Sequence, residues 1–336
     1  VRRDSEIDQF LSKPFYEVQA VVETEAGESF KARWKPSENC QPYQDEEGRV
    51  LNCKLAENVI TRIKGEPANL VKLTQKRKRE NAPLPFSLSA LQIEAAKRFG
   101  MSAKAVLDTC QALYERHKLL TYPRSDCRYL PEEHHAQAAD VVNAITANQQ
   151  KLKEFLPQVT LLRRSSAWND KKVSAHHAII PTTRQASLAT LNQQESQIYE
   201  LASRFYLAQF MAPYEYDDTG AELNIAGGEF IATAHQTQVT GWKQLIGSAE
   251  SKQSALPPLT QGQPLRCVEG VLDEKNTQPP KYFTDATLLA AMTGISRYVA
   301  DADIRKVLKE TDGLGTEATR AGMIELLFTR NFTQRE

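Results

Sequence analysis

Two stretches of strict two-residue alternation, set far apart and joined by residues of helical periodicity, constrain this chain most. Tyr16, Val18, Ala20 and Val22, a turn around Ala26-Gly27-Glu28, then Phe30, Ala32 and Trp34 predict a β-hairpin. Ala221, Leu223 and Ile225, a Gly227-Gly228 turn, then Phe230, Ala232 and Ala234 predict a second. Between them Leu88, Leu91, Ala95 and Phe99 share a helical face, with Ser89 and Gln92 as a capping box and Gly100 as the stop. Ser102 then caps a helix carrying Val106, Cys110, Leu113 and Tyr114. Helix, short glycine turn, helix is the outline of a helix-turn-helix, and equally of an ordinary packed pair. Further helices are expected over Leu55–Ile63, from Pro131 to about Ala147, and from Asn192 with Glu195 at capping-box spacing.

The expected fold class is therefore mixed α+β and multidomain: a β-rich part over 1–81, a helical domain over 82–183, a second β-rich part over 184–281, and a helical region over 282–336. The polar stretch Lys72 to Asn81, containing Lys76-Arg77-Lys78-Arg79, reads as the connector into the helical domain. A length of 336 residues suits about two domains, and 41% hydrophobic residues supply real cores. No apolar run approaches the ~20 residues of a membrane span, so a soluble cytoplasmic protein is expected, with no membrane partner. Five scattered cysteines without C-x-x-C spacing indicate neither a disulfide framework nor a zinc ribbon. Lysine plus arginine number 42, as do aspartate plus glutamate, so a nucleic-acid role must rest on local clusters.

Three segments could carry chemistry. In Thr121-Tyr122-Pro123-Arg124-Ser125-Asp126 the proline favours an extended chain, and residues two apart then face one way. Tyr122 and Arg124 could address one phosphate. A phenol titrating near ~10 needs cationic neighbours to act as a nucleophile, and a guanidinium grips phosphate as a fork. An isolated Tyr-Pro-Arg is more often a half-buried tyrosine beside a surface arginine. In Ser174-Ala175-His176-His177-Ala178-Ile179-Ile180-Pro181-Thr182 adjacent histidines on an extended chain diverge, which makes a poor metal pair; one could approach a phosphate, or be held by ordinary hydrogen bonds. Asp312-Gly313-Leu314-Gly315-Thr316-Glu317-Ala318-Thr319-Arg320 is a glycine-rich turn opening a helix, either an anion cradle or a plain connection.

Taken together and in order, these segments closely resemble the signatures of type IA DNA topoisomerases. The Tyr122-Pro123-Arg124-Ser125-Asp126-Cys127-Arg128-Tyr129-Leu130-Pro131 spelling, with Pro83-Leu84-Pro85-Phe86-Ser87-Leu88-Ser89, is similar to the bacterial topoisomerase III branch. The resemblance runs through essentially the whole chain. It implies a β-rich arch with an inserted helical, winged-helix-like domain bearing the nucleophilic tyrosine. By position Tyr122 and Arg124 would be catalytic, while His176, Thr319 and Arg320 would contact DNA, Arg320 from its charge and place alone. The partner would be single-stranded DNA, the location nucleoid-associated, and the oligomeric state monomeric. The family also has an N-terminal Toprim domain holding Mg²⁺. No matching acidic cluster is found here: Asp301-Ala302-Asp303 reads as a helix cap. The expectation is thus an internal fragment that relaxes or decatenates DNA only with the Toprim domain present, with no metal site and no cofactor of its own. A non-enzymatic helix-turn-helix DNA-binding module is the competing reading; it leaves the His176 and Gly313 segments unexplained.

Overall fold

The structure, a computed structural model, describes residues 2–247, 256–310 and 313–334. In chain order its regular elements are α1 (Arg2–Asp8), β1 (Pro14–Thr24), β2 (Ser29–Lys35), α2 (Cys53–Ile63), β3 (Ala68–Glu80), α3 (Leu88–Phe99) and α4 (Ala103–Glu115). There follow α5 (Ala138–Asn148), α6 (Gln193–Ala208), β4 (Tyr214–Ile225), β5 (Gly228–Val239), α7 (Lys243–Ile246), β6 (Leu265–Asn276), α8 (Asp285–Thr293), α9 (Ala302–Glu310) and α10 (Arg320–Thr329), with short 3₁₀ turns between. The chain divides into two compact units, one made of Val1–Glu80, Glu215–Val239 and Ala249–Tyr282, the other of Asn81–Tyr214, Thr240–Ser248 and Phe283–Glu336. Among the described residues no helix is long and apolar enough to cross a membrane.

The first unit is a six-stranded sheet in the order β3-β4-β5-β2-β1-β6. Both expected hairpins form, with antiparallel registers that set Val22 opposite Phe30, Ala20 opposite Ala32, and Leu223 opposite Phe230. The alternation places these residues, with Val18, Trp34, Ala221, Ile225 and Ala232, on one buried face against Ala56, Val59 and Ile63 of α2. Helix and sheet approach closely at Gly270, where a Cβ would lie 2.9 Å from the Ile60 side chain. The β4–β5 turn is centred one residue earlier than expected, on Ala226 and Gly227 at φ 49° and 78°, the left-handed pair a two-residue hairpin requires.

The stretch from Lys72 is not a connector; it continues β3 to Glu80. Charge pairing across to β4 replaces apolar alternation: Lys72 Nζ lies 2.9 Å from Glu222, Arg77 Nε lies 2.6 Å from Asp217, and Lys78 pairs with Asp218. Three charges of this basic run are thus already matched by acids.

The second unit packs Leu88, Leu91 and Ala95 of α3, Val106, Cys110 and Leu113 of α4, and Ile198, Leu201, Ala202 and Phe205 of α6 into one core. Because Phe205 of α6 sits with its ring centroid 4.1 Å from that of Phe86, the helical unit runs on to Tyr214 rather than ending at 183. Residues from Phe283 group with it too: Leu289, Met292, Ala321 and Ile324 form a small core with Ala103. The α3 cap is Ser87, whose side chain accepts from Ala90 N–H; Ser89 lies inside the helix. Ser102 and Asn192 cap α4 and α6 as expected, the latter in a full capping box with Glu195. Asp301 Oδ1 caps α9, accepting from Asp303 and Ile304 N–H at 2.9 Å each.

Candidate active site

The tyrosine segment begins where α4 ends. Leu119 N–H reaches back to the Leu113 carbonyl at 2.8 Å, and Lys118 takes the left-handed position at φ 57°. The chain then runs beside the histidine segment. Thr121 N–H donates to the Ile180 carbonyl (3.0 Å), Ile180 N–H to Thr121 Oγ1 (3.0 Å), and Thr182 N–H to the Leu119 carbonyl (3.0 Å), with Leu120 bridged to Pro181. Buried Leu119, Leu120, Ile179 and Ile180 anchor both segments in the core, so the backbone leading into Tyr122 is held in place.

Tyr122 emerges from this support 39% exposed. Its ring lies 4.4 Å from that of exposed His176 and meets Tyr114 edge-on at 5.9 Å and 87°. Beyond it exposure alternates: Tyr122, Arg124 and Asp126 face solvent, whereas Pro123, Ser125 and Cys127 are buried. No carboxylate is paired with Arg124 among the described residues. The structure therefore brings Tyr122 and His176 into contact and leaves the guanidinium two residues on accessible. His177 turns elsewhere, as adjacent residues on an extended chain do. Its Nδ1 donates to the Ala178 carbonyl at 2.8 Å and its ring meets His134 at 4.8 Å; burial pushes its pKa down.

The glycine-rich turn joins the same support from another direction. Glu317 accepts from Ser89 N–H, the Ser125 carbonyl accepts from Leu88 N–H at 2.8 Å, and Ser87 Oγ from Ala90 N–H at 3.3 Å. Three donors of the first turn of α3 are thus taken by the glycine-rich segment, the tyrosine segment and the helix's own cap. One residue upstream, the Phe86 carbonyl accepts from Ile179 N–H of the histidine segment at 2.8 Å. The three signature segments meet on four consecutive residues, Phe86 to Ser89.

Arg320 is placed otherwise than its charge suggests. It is fully buried, donating to the Leu314 carbonyl (3.1 Å), the Gly315 carbonyl (3.0 Å), Ser89 Oγ (2.9 Å) and Glu317 Oε1 (2.6 Å). It presents no charge to a solvent-borne phosphate; it locks the turn onto α3. Thr319 is exposed, but its Oγ1 already accepts from Thr316 N–H at 2.8 Å. The turn's Leu314 N–H is likewise taken, by the Met292 carbonyl at 2.8 Å. Asp312 lies outside the described residues. Sequence reasoning missed Glu317 and Arg128, whose guanidinium donates to the Pro85 (2.8 Å) and Leu84 (2.7 Å) carbonyls and whose pKa burial pulls down. Only the Pro83–Phe86 stretch hinted at a segment needing such a clamp.

A family model described as DNA topoisomerase matches residues 1–336. The chain belongs to the DNA topoisomerase family. It is 54% identical over 349 residues to DNA topoisomerase 3 of Haemophilus influenzae, covering 100% of this chain and 53% of that protein. The corresponding values for DNA topoisomerase 3 of Salmonella typhimurium are 54% over 342 residues, 100% and 52%, and for that of Bacillus subtilis 32% over 344 residues, 97% and 45%. The chain spans about half the length of the curated relatives it matches. The fold is similar to full-length topoisomerase I of Thermotoga maritima, with a TM-score of 0.68 at 20% identity, over 100% of this chain and 50% of that one. Membership in the topoisomerase family agrees with the resemblance carried by the Tyr122, His176 and Gly313 segments.

Proposed function

We propose that this chain carries the strand-breaking tyrosine of a type IA DNA topoisomerase and that its partner is single-stranded DNA. The observation that supports this most is the Tyr122 ring, held against His176 on a doubly bridged, core-anchored segment with Arg124 accessible beyond it. Tyr122 Oη attacks a backbone phosphorus; the P–Oη bond forms as the P–O3′ bond breaks, the phenolic proton leaves, and the freed 3′ oxygen takes a proton. The strand is then held as a 5′-phosphotyrosine. Attack by the 3′-hydroxyl reverses the step, so the bond is conserved and no ATP is consumed. Arg124 stabilises charge developing on the phosphoryl oxygens, and His176, stacked on the nucleophile's ring, holds an adjoining phosphate. Thr319 contacts the DNA backbone from the glycine-rich turn. Arg320 acts on DNA only through the turn it locks.

The two units correspond in this reading to a β-rich arch and an inserted tyrosine domain. Mg²⁺ belongs to the Toprim domain of the family. Among the described residues no grouping of three or more His, Cys, Asp or Glu side chains could hold a metal ion, and no step above is routed through one. The test is trapping with a labelled single-stranded oligonucleotide, with the Toprim domain present. A covalent adduct that Tyr122→Phe abolishes supports the proposal; binding without adduct favours a non-enzymatic DNA-binding module.

A further inference from the structure

Lys118 occupies a backbone position that ordinarily calls for glycine. It comes just after the last turn of α4 at φ 57°, where an L side chain is disfavoured, and its carbonyl is pinned by Thr182 Oγ1 at 2.7 Å. The two residues before it, Arg116 and His117, are both engaged by Glu195. Lys118 is exposed, with no carboxylate paired to it among the described residues, and its Nζ stands 5.7 Å from the centroid of the Tyr114 ring. That ring is the one meeting Tyr122 edge-on, so the Lys118 ammonium over Tyr114, Tyr122 and His176 form a continuous row. A lysine kept in a disfavoured conformation, with no carboxylate partner among the described residues, beside the nucleophile's neighbour points to a use outside the fold.

We propose that Lys118 is a positioning residue that grips a DNA phosphate adjoining the one Tyr122 attacks; this rests on the function proposed above. The rival is a purely structural cation complementing the negative end of α4. Lys118→Gly separates them, because it relieves the backbone while removing the charge. In the full-length protein, binding of a fluorescein-labelled single-stranded oligonucleotide is measured over about 50 to about 300 mM salt, a range in which each phosphate contact contributes about 0.7 to the slope of log affinity against log salt. The expected result is a slope reduced by about 0.7 and weaker binding at low salt, with an unchanged or higher thermal midpoint and recovery of the slope in Lys118→Arg. An unchanged slope and affinity in Lys118→Gly overturns the assignment. Adduct formation by the wild type is scored alongside: an adduct with an unchanged slope refutes Lys118 alone, whereas no adduct at Tyr122 refutes the reading on which it rests.

Discussion

Removing the Arg320 side chain should unlock the glycine-rich turn and the helix that follows it, although the guanidinium itself meets no solvent-borne phosphate. The Arg320 and Glu317 side chains are 1% and 11% accessible, and the guanidinium satisfies two carbonyls and a hydroxyl besides its counter-ion. In Arg320→Leu the carboxylate keeps, among the described residues, only Ser89 N–H, and the Leu314 and Gly315 carbonyls lose this donor. Breaking a buried pair from one side costs about 3–5 kcal/mol. At about 1.4 kcal/mol per tenfold, protection of amide hydrogens in α10 and at the start of α3 should fall on the order of 10²–10⁴-fold. Native-state hydrogen exchange resolved by peptide measures this directly. Replacing both partners, as in Arg320→Leu with Glu317→Leu, removes the stranded charge and should recover part of the loss, since paired groups do not add. Unchanged protection in Arg320→Leu, accompanied by a smaller salt slope for oligonucleotide binding, would refute the locking role and restore a direct phosphate contact.

Two further outcomes test the same unit. Gly313→Ala places a Cβ 2.4 Å from the Met292 carbonyl and 2.7 Å from that of Thr293 at φ +90°, and should destabilise by about 2–4 kcal/mol; Gly322→Ala, within α10 and with nothing within 4 Å, should stabilise by up to about 1 kcal/mol. Thermal melts of the pair check both signs. His177 has its pKa lowered from 6.5 chiefly by burial, so the unfolded chain takes up the proton first as pH falls. Its contribution is full above 6.5 and is lost as pH falls through the lower folded value; denaturation at successive pH values should show this acid-side decline reduced in His177→Gln.

The elements legible beforehand were those whose signal is local. Val18, Ala20 and Val22 against Phe30, Ala32 and Trp34 alternate because one face is buried, and that pattern is complete within twenty residues of sequence. β3 was not legible, because Lys72, Arg77 and Lys78 find their partners on β4, across an inserted domain. The α3 cap was displaced to Ser87 for a similar reason: Ser89 has another task, receiving Arg320 from 231 residues away. At the site, the spelling around Tyr122 and His176 marked residues that the fold does bring together. Arg320 shows the limit of residue type as a guide, since an arginine at a glycine-rich turn suits a phosphate and a buried carboxylate equally, and only tertiary structure decides which it meets.

The pairing of β1 with β6, which sets Pro14 opposite Asn276, has a consequence for synthesis. β2 is finished at Lys35, but β6 does not begin until Leu265, and the helical domain must be made in between. At ~5–20 residues per second the open flank of β1 waits on the order of 10–50 s on the ribosome. An unsatisfied strand edge held that long invites pairing between nascent chains. Glu17 and Glu23 within the strand, and Pro14 at its start, are the residue types that discourage it. Glu17 finds its counter-ion only when β6 arrives, with Lys275 Nζ 2.6 Å away in the finished sheet.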